Sequence, residues 1–196
     1  MIQIRALAAS AAGAVAGVLL LTACGGDQVG SSGGGSNYVA GTGEITQVAA
    51  DDRQPAPDLA GETVDGDRLR LSDYRGQVVV LNVWGSWCPP CRAEASGFAR
   101  VAEETADEGV QFVGINTGEY SRENALSFER SHGIEYPSLS DPDGRMLLEF
   151  PSGTLNAQSI PTTLVLDREG RIAARALTPL TEDQLRELIA PVLAEE

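Results

Sequence analysis

Cys88 and Cys91 are separated by two prolines in W-G-S-W-C-P-P-C, residues 84–91. Three chemistries compete for such a pair. A structural disulfide gains most from closing a long loop, because its benefit grows with the unfolded-state entropy it removes; this one would close almost no loop. A zinc site wants four ligands, usually including a second pair of Cys or His. The chain offers one more cysteine, Cys24, and one histidine, His132. Thiol–disulfide exchange needs only what is present: a thiol that attacks and a second that resolves the mixed disulfide.

That chemistry depends on the elements that carry the pair. Residues 77–84, Q-V-V-V-L-N-V-W, form a nearly continuous apolar run of the kind buried on both faces of a sheet. The stretch after the prolines, from about residue 91 to 106, reads as a helix. A strand–turn–helix puts Cys88 at a helix N-terminus, where unpaired N–H groups and the helix dipole stabilise a thiolate. Cys91 lies one turn further in. Cys88 is therefore the expected nucleophile and Cys91 the resolver. Pro89 and Pro90 remove two N–H groups that could have bonded the thiolate, which favours a higher thiol pKa and a more reducing pair. The alternative is that the prolines only stiffen the first turn.

The remaining elements follow the same alternation. Residues 63–71 combine a D-G turn with an alternating R-L-R-L, and residues 110–116 form a second buried run. Residues 121–132 read as a helix closed by Gly133, with His132 complementing the dipole at its end. D-P-D-G, residues 141–144, is a turn before a short helical patch at 145–150. Strands at 162–167 and 171–177 flank a turn, and a final helix at 181–194 carries a Thr181/Gln184 capping box with Pro191 late in it. Strand, helix, strand, helix, hairpin and helix make an α/β domain with a mixed sheet.

The chain has 196 residues, a formal charge of −14 and no Lys, so every cationic side chain apart from His132 is Arg. This balance argues against nucleic acid or anionic headgroups as partners, since both reward cationic surfaces. Residues 1–5 hold one cation, residues 6–20 are small and apolar, and L-T-A-C follows at 21–24. The apolar run is roughly 18 residues long, at the lower limit for a membrane span, so a secretory signal fits better than a permanent helix. L-T-A-C resembles a bacterial lipobox, which implies lipidation of Cys24. The expected organisation is a signal peptide at 1–23, a lipidated cysteine and flexible Gly/Ser-rich tether at 24–50, and a folded domain at 51–196. The protein would then sit on the extracytoplasmic face of the membrane, with Cys88 and Cys91 as its only thiols.

N-V-W-G-S-W-C-P-P-C-R-A-E together with I-P-T-T-L-V-L-D resembles the thioredoxin fold. Within it the chain is similar to the membrane-tethered TlpA/ResA-like thiol-disulfide oxidoreductases that serve cytochrome c maturation. The likeness runs from about residue 55 to the C-terminus and includes A-P-D-L and L-S-D-Y-R-G-Q. It implies a thioredoxin-like α/β fold: a mixed central β-sheet flanked by helices, with an N-terminal β extension and a central αβ insert. It also implies a cis bond at Ile160–Pro161 that leaves a backbone edge for the substrate chain. Trp87, Pro89, Pro90, Ile160 and Pro161 would be the substrate contacts.

One departure carries a second expectation. Where thioredoxins bury an aspartate in the strand ahead of the first cysteine, this chain has Asn82, which cannot titrate. ResA-like proteins place a glutamate after the next strand, and N-T-G-E-Y matches that segment at Glu119. A buried carboxylate there would manage protons for the pair; otherwise Glu119 is a loop acid. The resemblance implies reduction of the disulfide in an apocytochrome c haem-binding site, with electrons from a membrane thiol carrier similar to CcdA and no cofactor. The competing functions are an oxidase of secreted proteins and a non-catalytic binding or chaperone lipoprotein. A peroxidase is disfavoured, because peroxiredoxins use another cysteine setting.

Overall fold

The computed structural model describes residues 45–156 and 159–195; the leader, Cys24 and most of the tether lie outside the described residues. The strands are β1 (Ile45–Gln47), β2 (Ala60–Glu62), β3 (Arg68–Arg70), β4 (Val78–Trp84), β5 (Val110–Thr117), β6 (Ser138–Asp141), β7 (Thr162–Leu166) and β8 (Ile172–Ala176). The helices are α1 (Pro89–Thr105), α2 (Arg122–His132) and α3 (Glu182–Leu193). Six strands form one sheet in the order β1-β8-β7-β4-β5-β6. Strands β4, β5 and β6 run parallel, while β7, β8 and β1 are joined antiparallel, so the sheet is mixed as expected.

The pleat of β4 explains why its sequence is apolar almost throughout. Val78 and Val80 join the cluster formed with Phe98 and Val101 of α1 and Leu185, Leu188 and Val192 of α3. Val79, Leu81 and Val83 point the other way, into a cluster with Leu59, Leu69, Leu139 and Leu164. A strand covered on both faces has no solvated side on which polar residues are tolerated. The β2–β3 hairpin, preceded by Leu59, supplies part of that second cover, and it docks on β6 through the Val64 amide, which donates to the Ser138 carbonyl at 2.8 Å.

Two elements depart from the sequence reading. The tether was expected to reach residue 50, yet β1 pairs with β8 in register Ile45↔Ala176, and Val48 donates to the Ala173 carbonyl at 2.7 Å. The fold therefore begins ahead of residue 51, because an open edge of β8 carries backbone groups that β1 satisfies. Strand β6 has no counterpart in the residue-by-residue reading; with α2 it forms the central αβ insert that the resemblance implied. Its S-L-S-D holds a single apolar residue, and it is held by pairing with β5 and by the Thr63↔Leu139 bridge to the hairpin rather than by its own pattern. Among the described residues, no helix is long and apolar enough to cross a membrane.

Candidate active site

Both β4 and β5 end on the same edge of the sheet, with Trp84 opposite Asn116. This register brings the two following turns together, residues 85–88 after β4 and 118–120 after β5. Strand β7 runs the other way, so its approach through Ile160 and Pro161 reaches the same edge. Open α/β sheets place their chemistry at the carboxyl ends of parallel strands for this reason.

Cys88 is the N-cap of α1, with Pro89 and Pro90 as the first two helical residues; the helix starts ahead of the expected residue 91. Neither proline has an N–H, so the first amide of the helix is that of Cys91, and it donates to Cys88 Sγ at 3.2 Å. Cys88 and Cys91 are joined as a disulfide with their Cα atoms 5.3 Å apart. Each is only 2% exposed. The Ile160–Pro161 bond is cis, and Cys88 Sγ lies 3.9 Å from the Ile160 carbonyl oxygen. Pro161 is buried, Ile160 and Pro90 are half-buried, and Pro89 is exposed.

Trp87 stands out as an indole in solvent. Its ring rests on two glycines: a Cβ at Gly85 would meet Trp87 Nε1 at 2.7 Å, and one at Gly118 would meet Cζ2 at 3.3 Å. Gly118 also has φ of 62°, which disfavours any side chain there. Glu119, next along, is buried, and its carboxylate accepts the Ser86 hydroxyl, two residues before Cys88. It is thus no solvated loop acid, and its carboxylate ties the β5 turn to the active-site turn.

A second buried carboxylate was not anticipated. Glu94 is 5% exposed, on the stripe of α1 that also carries Cys91, Ala95, Phe98 and Val101. Positions three apart on a helix are neighbours, so Glu94 lies one turn below the resolving cysteine. Asn82 donates to it at 3.0 Å and the Leu180 amide at 3.0 Å. Burial pushes its carboxyl up to about 7, and those two hydrogen bonds, which favour the ionised form, only partly offset the loss of solvent. The spacing from Cys91 was a usable signal: a Glu on the buried stripe of an amphipathic helix cannot be a surface residue.

Around this centre Trp84 stacks on Phe128 of α2 at 4.6 Å between ring centroids, and the two rings pack with both cysteines in one cluster. Arg92 donates to the Ser86 carbonyl at 3.1 Å and lies over the Phe128 ring at 5.9 Å. His132 caps α2 through Nδ1, 2.9 Å from the Phe128 carbonyl.

The model of the AhpC/TSA family matches residues 53–175. The thiol-disulfide oxidoreductase ResA of Bacillus subtilis is 31% identical over 132 residues, covering 67% of this chain and 70% of that protein. The thiol:disulfide interchange protein DsbE of Pseudomonas aeruginosa is 33% identical over 141 residues, covering 70% and 72%. Among solved structures, a secreted thiol-disulfide isomerase from Corynebacterium glutamicum superposes with a TM-score of 0.73 at 35% identity, covering 83% of this chain and all of that one.

Proposed function

Because the chain belongs to the AhpC/TSA family and is a thiol-disulfide oxidoreductase of the ResA/DsbE type, we propose that it acts outside the cytoplasm as a reductant of apocytochrome c. Lipid on Cys24 holds it to the membrane, and the residues between there and β1 act as a tether. The reduced pair attacks the disulfide of the haem-binding CxxCH site. The Cys88 thiolate forms a bond to one substrate sulfur, and the other substrate sulfur leaves as a thiolate. Cys91 then attacks Cys88 Sγ, which releases the second substrate thiol and leaves the Cys88–Cys91 disulfide. Two electrons have passed to the substrate. A CcdA-like membrane thiol carrier returns them to the pair.

The observation that carries this reading is the placement of Cys88. It caps a helix, takes the first available amide on its sulfur, and lies beside the Ile160 carbonyl at the edge open to an extended chain. Trp87, Pro89, Pro90, Ile160 and Pro161 bound the approach of the substrate. Protons are exchanged by two carboxylates. Glu94 serves Cys91 from within α1, and Glu119 serves the Cys88 side through the Ser86 hydroxyl. Both replace the carboxylate that Asn82 cannot supply.

The test is electron transfer between purified reduced protein and an oxidised CxxCH peptide, followed by the appearance of peptide thiols. Stoichiometric reduction supports the reading. Transfer in the opposite direction, from reduced peptide to the Cys88–Cys91 disulfide under the same poise, would make the protein an oxidase. No transfer in either direction would leave the cysteines as a helix-end staple and remove the proposal.

A further inference from the structure

Among the described residues, the large apolar or aromatic side chains left exposed are Trp87 at 57%, Tyr120 at 81% and Leu148 at 74%. Two of the three line the same shallow groove of about 290 Å³, which also touches Thr117, Gly118, Asp143 and Ile160. The groove is thus lined by both aromatic side chains and by Ile160, whose carbonyl oxygen lies 3.9 Å from Cys88 Sγ.

Both walls are held in place although solvent surrounds them. The Trp87 indole has its seat on Gly85 and Gly118, where even a Cβ would collide with it or crowd it. Tyr120 is tied at its far end: its hydroxyl donates to Asp143 Oδ1 at 3.0 Å. A fixed exposed ring gives up rotamer freedom without gaining burial, so the arrangement is made for something that arrives.

We propose that this groove is a side-chain subsite for a basic residue, Arg or Lys, flanking the reactive cysteine of the substrate. The inference rests on the disulfide-exchange reading above and specifies the substrate further. Aromatic faces carry negative quadrupole density and attract a cation laid across them. Asp143, which also lines the groove, adds a carboxylate beside the Tyr120 hydroxyl. It already accepts one guanidinium, that of Arg145 at 3.2 Å, but Arg145 is 82% exposed, and a pair so solvated is weak and easily shared. A carboxylate has acceptor sites for Tyr120, Arg145 and an incoming cation together. The chain as a whole carries −14, so a basic partner is steered toward it and an acidic one is repelled. An aliphatic occupant would use the rings but gain nothing from Asp143.

The experiment uses the full-length protein and three disulfide peptides that differ only in one residue beside the reactive cysteine: Arg, Leu or Glu. The expected order of kcat/KM is Arg, Leu, Glu, with the Arg peptide favoured over the Glu peptide about tenfold at low salt. That ratio should fall at least threefold in Asp143→Asn and in Tyr120→Leu, and less than threefold in Arg145→Gln. Equal kcat/KM for the three peptides, or preference for Leu, would overturn the subsite while leaving the exchange reading intact. If no peptide is turned over, the exchange reading fails instead. The subsite is then judged by binding of the same peptides with serine in place of cysteine, read from Trp fluorescence: tighter binding of the Arg peptide supports it and equal binding overturns it.

Discussion

The Asn82 side-chain amide donates to the Glu94 carboxylate at 3.0 Å, across the interface between β4 and α1. Asn82 cannot titrate, so the ionisable member of this pair is the carboxylate on the helix. The carboxyl of Glu94 is raised from 4.5 to about 7, chiefly by burial. Its folded form binds a proton that the unfolded chain has already lost, so the stability contributed by this group is fully present below about pH 4.5 and is lost as pH rises through about 7. The cost at high pH is about 3 kcal/mol. Glu94→Gln should reduce the loss of stability between pH 5 and pH 8 in denaturant titrations and remove the inflection near neutrality from the pH–rate profile. A variant whose profile keeps the inflection would exclude Glu94 as the titrating group.

Glu119→Gln separates the second carboxylate from the first. Gln keeps the size and an acceptor for the Ser86 hydroxyl but cannot exchange a proton. Disulfide reduction should slow and its pH dependence change, with the fold and the ability to form the Cys88–Cys91 disulfide retained. Superposition of the variant and unmodified pH–rate profiles would leave Glu119 as a link between two turns and nothing more.

The two sulfurs should behave differently under trapping. With Cys91→Ser the mixed disulfide through Cys88 has no resolver and accumulates as a covalent adduct, visible by mass spectrometry. With Cys88→Ser none should form. Equal adduct in both variants would reverse the assignment of attack to the helix N-cap.

Gly85→Ala tests the seat of Trp87. The added methyl would stand 2.7 Å from Nε1 and 2.9 Å from Cε2 of the indole, so the ring must move. Reduction of a peptide disulfide should fall about tenfold, on the scale of a displaced contact near the reacting atoms, with a stability loss of about 1 kcal/mol. The fluorescence of Trp87 should shift with it. An unchanged rate together with a shifted emission would show that the indole has no part in substrate approach.

Removing β1 gives a further check on where the fold begins. A chain starting at residue 51 loses the pairing of Ile45–Gln47 with β8 and the Val48 amide bond to Ala173. Thermal unfolding should show it about 2–3 kcal/mol less stable than a chain starting at residue 45, and more prone to associate through the opened edge. Identical melting of the two would return residues 45–50 to the tether.

Residues whose surroundings are set by near neighbours in the chain were legible from sequence. Val78–Trp84 shows its burial in every position, and Cys88 shows its cap position in the strand and prolines around it. Thr181 and Gln184 form the expected capping box, since both its bonds lie within one turn. Glu94 had one local signal, its place on the stripe with Cys91 and Phe98, and none for its partners. A glutamate in a helix reads as solvated, and what buries this one is Asn82 from β4 and the Leu180 amide just ahead of α3. Ser138–Asp141 was hidden for the same reason, because its strand character comes from its neighbours. The approach of Tyr120 to Trp87 depends on the Trp84↔Asn116 register, which no local pattern records.

The near-complete burial of both cysteines has a consequence for which thiols can reach their disulfide. An exposed disulfide trades electrons with whatever thiol collides with it, and a chain of redox carriers built from such groups would leak at every link. Here Cys88 Sγ lies beside the Ile160 carbonyl, and Ile160 lines the same groove as Trp87. The pair is in that respect an insulated contact: exchange should be set by docking, with small thiols in bulk solution reacting slowly. The side chains around the pair thus shield the disulfide from stray thiols as much as they shape the approach to it.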